Sequence, residues 1–157
     1  LATAARQGRL ARNFQGYTDD HATAIIGLGT SSIGRFPQGY VQNDPATGVY
    51  EGRVREGHLA AVRGIAFSEE DRLRGWLIER LMCDFGLSFG EMTRLFGTAA
   101  AGAIVAECQA LAASDRNVVV TDGRLEIREE ARPFVRSIAA HFDTYLATGR
   151  GRHSIAV

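Results

Sequence analysis

The stretch Gly27-Leu28-Gly29-Thr30-Ser31-Ser32-Ile33-Gly34 holds the residue types in this sequence best suited to chemistry. Glycines after an apolar run let a backbone come close to a ligand, and exposed N–H groups beside hydroxyls suit an adenosine or a carboxylate. The stretch has no lysine, which sets it apart from a phosphate-binding P-loop, and a purely structural turn has the same composition. The histidines, His21, His58, His141 and His153, show no pairing at metal-ligand spacing, and His141 reads as a core or boundary residue. Cys83 and Cys108 are isolated thiols, whereas a zinc or iron–sulfur site takes three or four soft ligands; both read as small buried apolar groups. No Gly-x-Ser-x-Gly elbow accompanies the serines. Asp122 and Glu126 flank a turn, and Asp71, Arg72, Arg74, Glu79 and Arg80 read as the wet side of a helix. These residues alone assemble no self-sufficient active site.

The elements that must carry them follow from composition and pattern. The chain has 157 residues, 45% of them hydrophobic and 23% charged, which is enough apolar material for a core. Its 18 basic and 18 acidic side chains cancel, and such a balance argues against a nucleic-acid partner. Two cysteines fit a reducing, cytoplasmic setting better than a secreted one. No run nears the ~20 apolar residues of a membrane span, and the start of the chain has no basic stretch followed by an apolar core that would read as a signal peptide; it opens at Leu1 and reads as beginning mid-protein.

Leu1 to Gln7 predicts the end of a helix, stopped at Gly8. Arg12 to Thr18 alternates and predicts one strand, Ala24 to Leu28 a short buried strand, and Tyr40 to Asn43 another extended piece. Residues 45–58 predict a helix with Val49, Tyr50 and Val54 on one side. The character changes near Phe67. Ser68 followed by three acids is a helix start, and Leu73, Trp76, Leu77, Leu81 and Phe85 give it one apolar face up to Gly86. Helices over 89–96 and 99–113 follow, and then two β-prone runs joined by Asp122-Gly123, a strong hairpin signal. A last helix carries Phe134, Ile138, Phe142, Tyr145 and Leu146, and Pro133 either lies near its first turn or kinks it. Three helices, a hairpin and a helix outline a winged-helix-like domain. The tail from Thr148 to Val157 has no clear period.

Arg12-Asn13-Phe14-Gln15-Gly16-Tyr17-Thr18, preceded by Gly8-Arg9-Leu10, resembles a motif of the oxygen-independent coproporphyrinogen III oxidases. The resemblance continues through Gly27-x-Gly29-x-Ser31-x-Ile33, Tyr40-x-Gln42-Asn43, Arg63-Gly64-x-x-Phe67-Ser68-x-x-Asp71, Arg132-Pro133-Phe134-Val135-Arg136 and Phe142-Asp143-x-Tyr145-Leu146. It covers essentially the whole chain; Asp19 departs from it, since a second threonine usually follows the first. The resemblance implies an α/β remnant, the last strands of an incomplete radical S-adenosylmethionine (SAM) barrel, over residues 1–66. Residues 67–157 would then be a mainly α, winged-helix-like C-terminal domain.

It also implies an enzyme that decarboxylates two propionates of coproporphyrinogen III to give protoporphyrinogen IX. The reaction uses a [4Fe–4S] cluster and a 5′-deoxyadenosyl radical made from SAM. The cluster would be bound by a Cys-x3-Cys-x2-Cys motif that this chain lacks, so the fragment alone would be inactive. An electron donor of unspecified identity would serve a cytoplasmic monomer. By the same resemblance Ile33 falls at the SAM-contacting position, with Ser31 and Ser32 beside it, and Gln15 faces the substrate and second SAM site, with Arg12 nearby. None of these would be a catalytic or metal-binding residue. A related radical SAM haem chaperone is the first alternative, disfavoured because the lone tryptophan, Trp76, sits in a helix. A winged-helix nucleic-acid-binding module over 67–157 is the second, disfavoured because the 99–113 helix has only Glu107 as a charged residue.

Overall fold

The computed structural model describes residues 1–13 and 15–146; Phe14 and the tail from Thr148 to Val157, with His153, lie outside the described residues. Helix α1 (Ala2–Arg6) ends before Gly8 as its composition predicts. The predicted single strand over Arg12 to Thr18 is instead two, β1 (Ala11–Asn13) and β2 (Gly16–Thr18), paired antiparallel with Asn13 opposite Gly16. The Asn13 side chain accepts the Gln15 N–H at 2.8 Å and Gly16 takes φ 134°, so a local turn outcompetes the extended run. The Ala24 to Leu28 segment is no buried strand either. It makes one bridge, Ile25 to Arg35, and leaves Ile26 and Leu28 72% and 83% exposed. An apolar run shows what could be buried, not whether a partner covers it.

Strands β3 (Ile33–Phe36), β4 (Gly39–Asn43) and β5 (Ala61–Ala66) form an antiparallel sheet in that order; the pattern had not predicted β5. Between β4 and β5 runs α2 (Thr47–Arg55), within the expected range but with no buried residue.

Helix α3 (Glu69–Asp84) starts where the sequence places it. The Ser68 hydroxyl accepts the Asp71 N–H at 3.1 Å while the Asp71 carboxylate accepts the Ser68 N–H at 2.9 Å, which satisfies two otherwise orphaned donors. Ser68→Ala removes one arm of this box and is expected to cost about 1 kcal/mol, read as a lowered urea midpoint. The helix ends on Phe85, which takes the left-handed conformation at φ 59°. Gly86, expected to stop it, instead opens β6 (Gly86–Ser88), because a Cβ there would lie 2.7 Å from the Leu125 carbonyl oxygen.

Helices α4 (Phe89–Phe96) and α5 (Thr98–Ser114) follow, and then the hairpin of β7 (Val118–Thr121) and β8 (Arg124–Ile127). Asp122 and Gly123 both take positive φ, as a primed two-residue turn requires. The second sheet has the order β6-β8-β7. The predicted last helix is broken into a 3-10 turn over Glu129–Phe134, a short α6 (Val135–Ala139) and a second 3-10 turn over Ala140–Phe142. Pro133 lies inside the first turn, where its missing donor and ring oppose a regular helix. Phe134, Tyr145 and Leu146 are therefore exposed instead of sharing an apolar face.

The main core gathers Leu77, Leu81, Met92, Cys108, Leu125 and Phe142, from α3, α4, α5, β8 and the last 3-10 turn. Each large side chain taken fully from water contributes about 1.5–3 kcal/mol. The charged side of α3 is not simply wet. Arg74, 15% exposed, pairs with Glu70 at 2.8 Å and Glu107 at 3.1 Å and donates to the Phe142 carbonyl. Arg80 reaches Asp84 and the Leu10 carbonyl, because the β1–β2 end of the chain packs against this side. Both cysteines are buried as expected, and burial pushes the thiols up to about 11 for Cys83 and about 12 for Cys108, leaving neither a ready nucleophile.

Candidate functional site

The β1–β2 hairpin is fastened to α3 at two places. The Glu79 carboxylate accepts the Arg12 backbone N–H at 3.1 Å, and the Tyr17 hydroxyl donates to the Met82 carbonyl at 3.1 Å. The hairpin, one face of the β3-β4-β5 sheet and α3 surround a cleft of about 1160 Å³. The hairpin contributes Arg12 and Gln15, the sheet Arg35, Tyr40 and Ile65, and α3 Arg72 and Trp76. Tyr145, beyond the last turn, closes another side, its hydroxyl donating to Asp71 at 2.9 Å. The Ser68 backbone N–H, then the Ser68 hydroxyl and Tyr145, hold the Asp71 carboxyl below its ordinary range despite some desolvation.

Strand register explains the wall. Arg35, Tyr40 and Ile65 lie opposite one another across the three strands, and Ile33, Gln42 and Arg63 form the next row. Residues two apart on a strand share a face, so both rows look the same way. The second row lines a smaller, mostly apolar hollow of about 300 Å³, which shares Tyr40 and Ile65 with the cleft. At its rim the Arg63 guanidinium donates to Gln42 at 2.7 Å, and the Gln42 amide donates to the Ser31 carbonyl at 3.0 Å.

The residues singled out from sequence therefore divide. Arg12 and Gln15 meet in the cleft, Ile33 lies in the adjoining hollow, and Ser31 and Ser32 line neither. Gln15 is exposed at the hairpin turn. The Arg12 guanidinium lies 5.4 Å from the Tyr17 ring centre, and its Nε is buried without a partner. The glycine stretch does not offer the free donors its composition suggested. Its Gly29 N–H goes to the Tyr50 hydroxyl and its Ser31 N–H to the Asp44 carbonyl, while the Ser32 hydroxyl donates to Leu28. The Asn43 amide donates to both the Gly27 and Gly29 carbonyls, so the loop is internally tied.

Sequence reasoning missed Arg35, Tyr40 and Tyr145 as cleft residues, and read Trp76 as core. Alternation along β3 and β4 would have put Arg35 with Ile33 and Tyr40 with Gln42, had the hairpin register been recognised. Trp76 packs on Phe96 with ring centres 5.8 Å apart and still borders the cleft.

No family model matches the chain. It is 47% identical over 158 residues to the oxygen-independent coproporphyrinogen III oxidase of Paracoccus denitrificans, covering 100% of this chain and 35% of the relative. The corresponding oxidase of Cereibacter sphaeroides is 44% identical, covering 99% of this chain and 34% of the relative. The chain matches a part of the oxygen-independent coproporphyrinogen III oxidases. It spans about a third of the length of these oxidases. The solved coproporphyrinogen III oxidase of Escherichia coli, described as a radical SAM enzyme, superimposes with a TM-score of 0.82 and 33% identity. That match covers 92% of this chain and 34% of the solved one, so the mixed helix-and-strand fold is that of a segment of the oxidase.

Among the described residues no three His, Cys, Asp or Glu side chains gather as metal ligands, so the residues present do not fit an iron–sulfur cluster. No helix among them is long and apolar enough to cross a membrane.

Proposed function

We propose that the chain is the C-terminal part of an oxidase that decarboxylates coproporphyrinogen III to protoporphyrinogen IX without oxygen. Residues 1–66 then supply the last strands of an incomplete radical SAM barrel, and residues 67–157 a winged-helix-like domain that covers one side of it. The observation that carries this reading is the cleft of about 1160 Å³ walled by both parts of the chain. It is large enough for a macrocycle and mixes aromatic with cationic side chains. In this reading the second sheet with α3, α4 and α5 is the winged-helix-like unit, and the protein is a cytoplasmic monomer fed by an electron donor.

The [4Fe–4S] cluster belongs to a cysteine motif outside this chain. For SAM the hollow around Ile33 is suited, with Ile33, Tyr40 and Ile65 giving an apolar floor and Gln42 and Arg63 polar groups at the rim. Bound SAM supplies the hydrogen abstraction that opens decarboxylation. Gln15, with an amide that both donates and accepts, orients ligand polar groups from the hairpin side, and the Arg12 charge lies beside it. Ser31 and Ser32 act by shaping the loop that leads into Ile33.

An anaerobic assay of the full-length protein with coproporphyrinogen III, SAM and a reductant tests the reading by CO2 release. A reduced, SAM-cleaving protein that releases none would overturn it. The chain by itself is expected to stay colourless after anaerobic iron and sulfide reconstitution, because its two thiols are buried on separate helices. A stable brown species with cluster absorbance would contradict that.

A further inference from the structure

Besides Arg12, whose guanidinium lies over the Tyr17 ring, two arginines of the cleft are left over once Arg74 and the acids of its wall are accounted for. Arg74 is saturated by Glu70, Glu107 and the Phe142 carbonyl. Of the wall's acids, Asp71 accepts from Ser68 and Tyr145, Asp20 from the Ala22 N–H, Asp143 from the Tyr145 N–H, and Glu79 from the Arg12 N–H. Those donors are uncharged, and none is a guanidinium. Arg35 on β3 and Arg72 on α3 line the same cleft and make no side-chain hydrogen bond or ion pair among the described residues.

Resting on the oxidase reading, we propose that Arg35 and Arg72 are the anchors for two carboxylates of the substrate. A planar guanidinium fork matches a carboxylate in two parallel hydrogen bonds and stays charged at any working pH. The surroundings specify what carries those carboxylates. Arg35 shares its row with Tyr40 and Ile65, and Arg72 lies one turn from Trp76 on the helix, so each cation borders apolar or aromatic surface. The fitting ligand has an apolar body and several acidic arms, which is the chemistry of a porphyrinogen bearing propionates. Because one anchor stands on the sheet and the other on the helix, the ligand bridges the two parts of the chain. Arg12, stacked on Tyr17, supports the same charge from the hairpin, but its main chain also holds the hairpin in place.

The test is a fluorescence titration of the full-length protein with coproporphyrin III and with its tetramethyl ester, alongside turnover of coproporphyrinogen III. The tetra-acid is expected to bind with a salt-sensitive affinity and the ester at least tenfold more weakly. Arg35→Gln and Arg72→Gln should each weaken the tetra-acid on the order of tenfold, the size of one lost charge-assisted contact, with no effect on the ester. Arg35→Lys should recover part of the loss, and Arg53→Gln, on the exposed side of α2, should change nothing. Equal binding of acid and ester, no binding of either, or unchanged affinity in both glutamine variants overturns the anchors, whatever the turnover. Tight, arginine-dependent binding by a protein that releases no CO2 upholds them and removes the oxidase reading instead.

Discussion

Gly39→Ala is expected to unfold the β3-β4-β5 sheet, at a cost on the order of 4 kcal/mol or more. Gly39 stands at φ 157° opposite Ala66, where a Cβ would run into the Ile65 carbonyl oxygen and lie 3.0 Å from the Ala66 Cα. Both obstacles are main chain held in a ladder, so neither can swing aside as a flexible side chain would. Gly64 repeats the constraint on the neighbouring strand, its would-be Cβ 2.6 Å from the Tyr40 carbonyl oxygen. Urea denaturation followed by circular dichroism reads the effect. Gly48→Ala, in α2 with nothing within 4 Å of its would-be Cβ, is the control and should be neutral to slightly stabilising. An unchanged midpoint for Gly39→Ala would mean that β4 and β5 do not pair in this register.

The second large effect is on turnover. Ile33→Asp in the full-length protein should lower kcat/KM for coproporphyrinogen III on the order of a hundredfold, roughly 2.7 kcal/mol of transition-state stabilisation. The half-buried Ile33 shares its hollow with Tyr40, Val41 and Ile65, and a carboxylate there would have to be desolvated by any apolar ligand surface laid on it. The fold should survive, since the position is open to solvent on one side and its ladder bonds to Gln42 are main chain. Gln15→Ala, which removes only a hydrogen-bonding amide from the exposed hairpin turn, should cost about tenfold in the same assay. Steady-state rates unchanged in both would sink these two assignments while leaving the fold untouched.

What could be read from sequence was what is decided locally. Ser68 with its following acids, the Asp122-Gly123 turn and α4 depend on neighbours a few residues away, and all three stand where the pattern puts them. β5 and β6 were hidden because their partners lie elsewhere in the chain and because Gly64 and Gly86 are selected for close approach, not strand propensity. The last helix is broken around Pro133 into separate turns, which goes beyond the kink its sequence allows and which a count of apolar spacing does not register. The glycine stretch was misjudged for a related reason. Composition shows how many donors a loop has, but the Tyr50 hydroxyl and the Asp44 carbonyl decide how many remain. Gln15 and Ile33 entered through resemblance alone. The cleft itself was illegible because Arg12, Arg35, Arg72 and Tyr145 come together only once the hairpin is fastened to α3.

That fastening also governs how freely the site can evolve. Each of its two bonds joins a side chain to a main-chain atom: Glu79 holds the Arg12 amide, and Tyr17 holds the Met82 carbonyl. Neither bond uses the Arg12 or the Met82 side chain, although the Arg12 guanidinium touches the joint through the Tyr17 ring, while Glu79 and Tyr17 are bound to it. Selection for a different acidic ligand could therefore rewrite Arg12 without breaking either bond, at the cost of its contact with the Tyr17 ring. The scaffold and its specificity can drift on separate clocks.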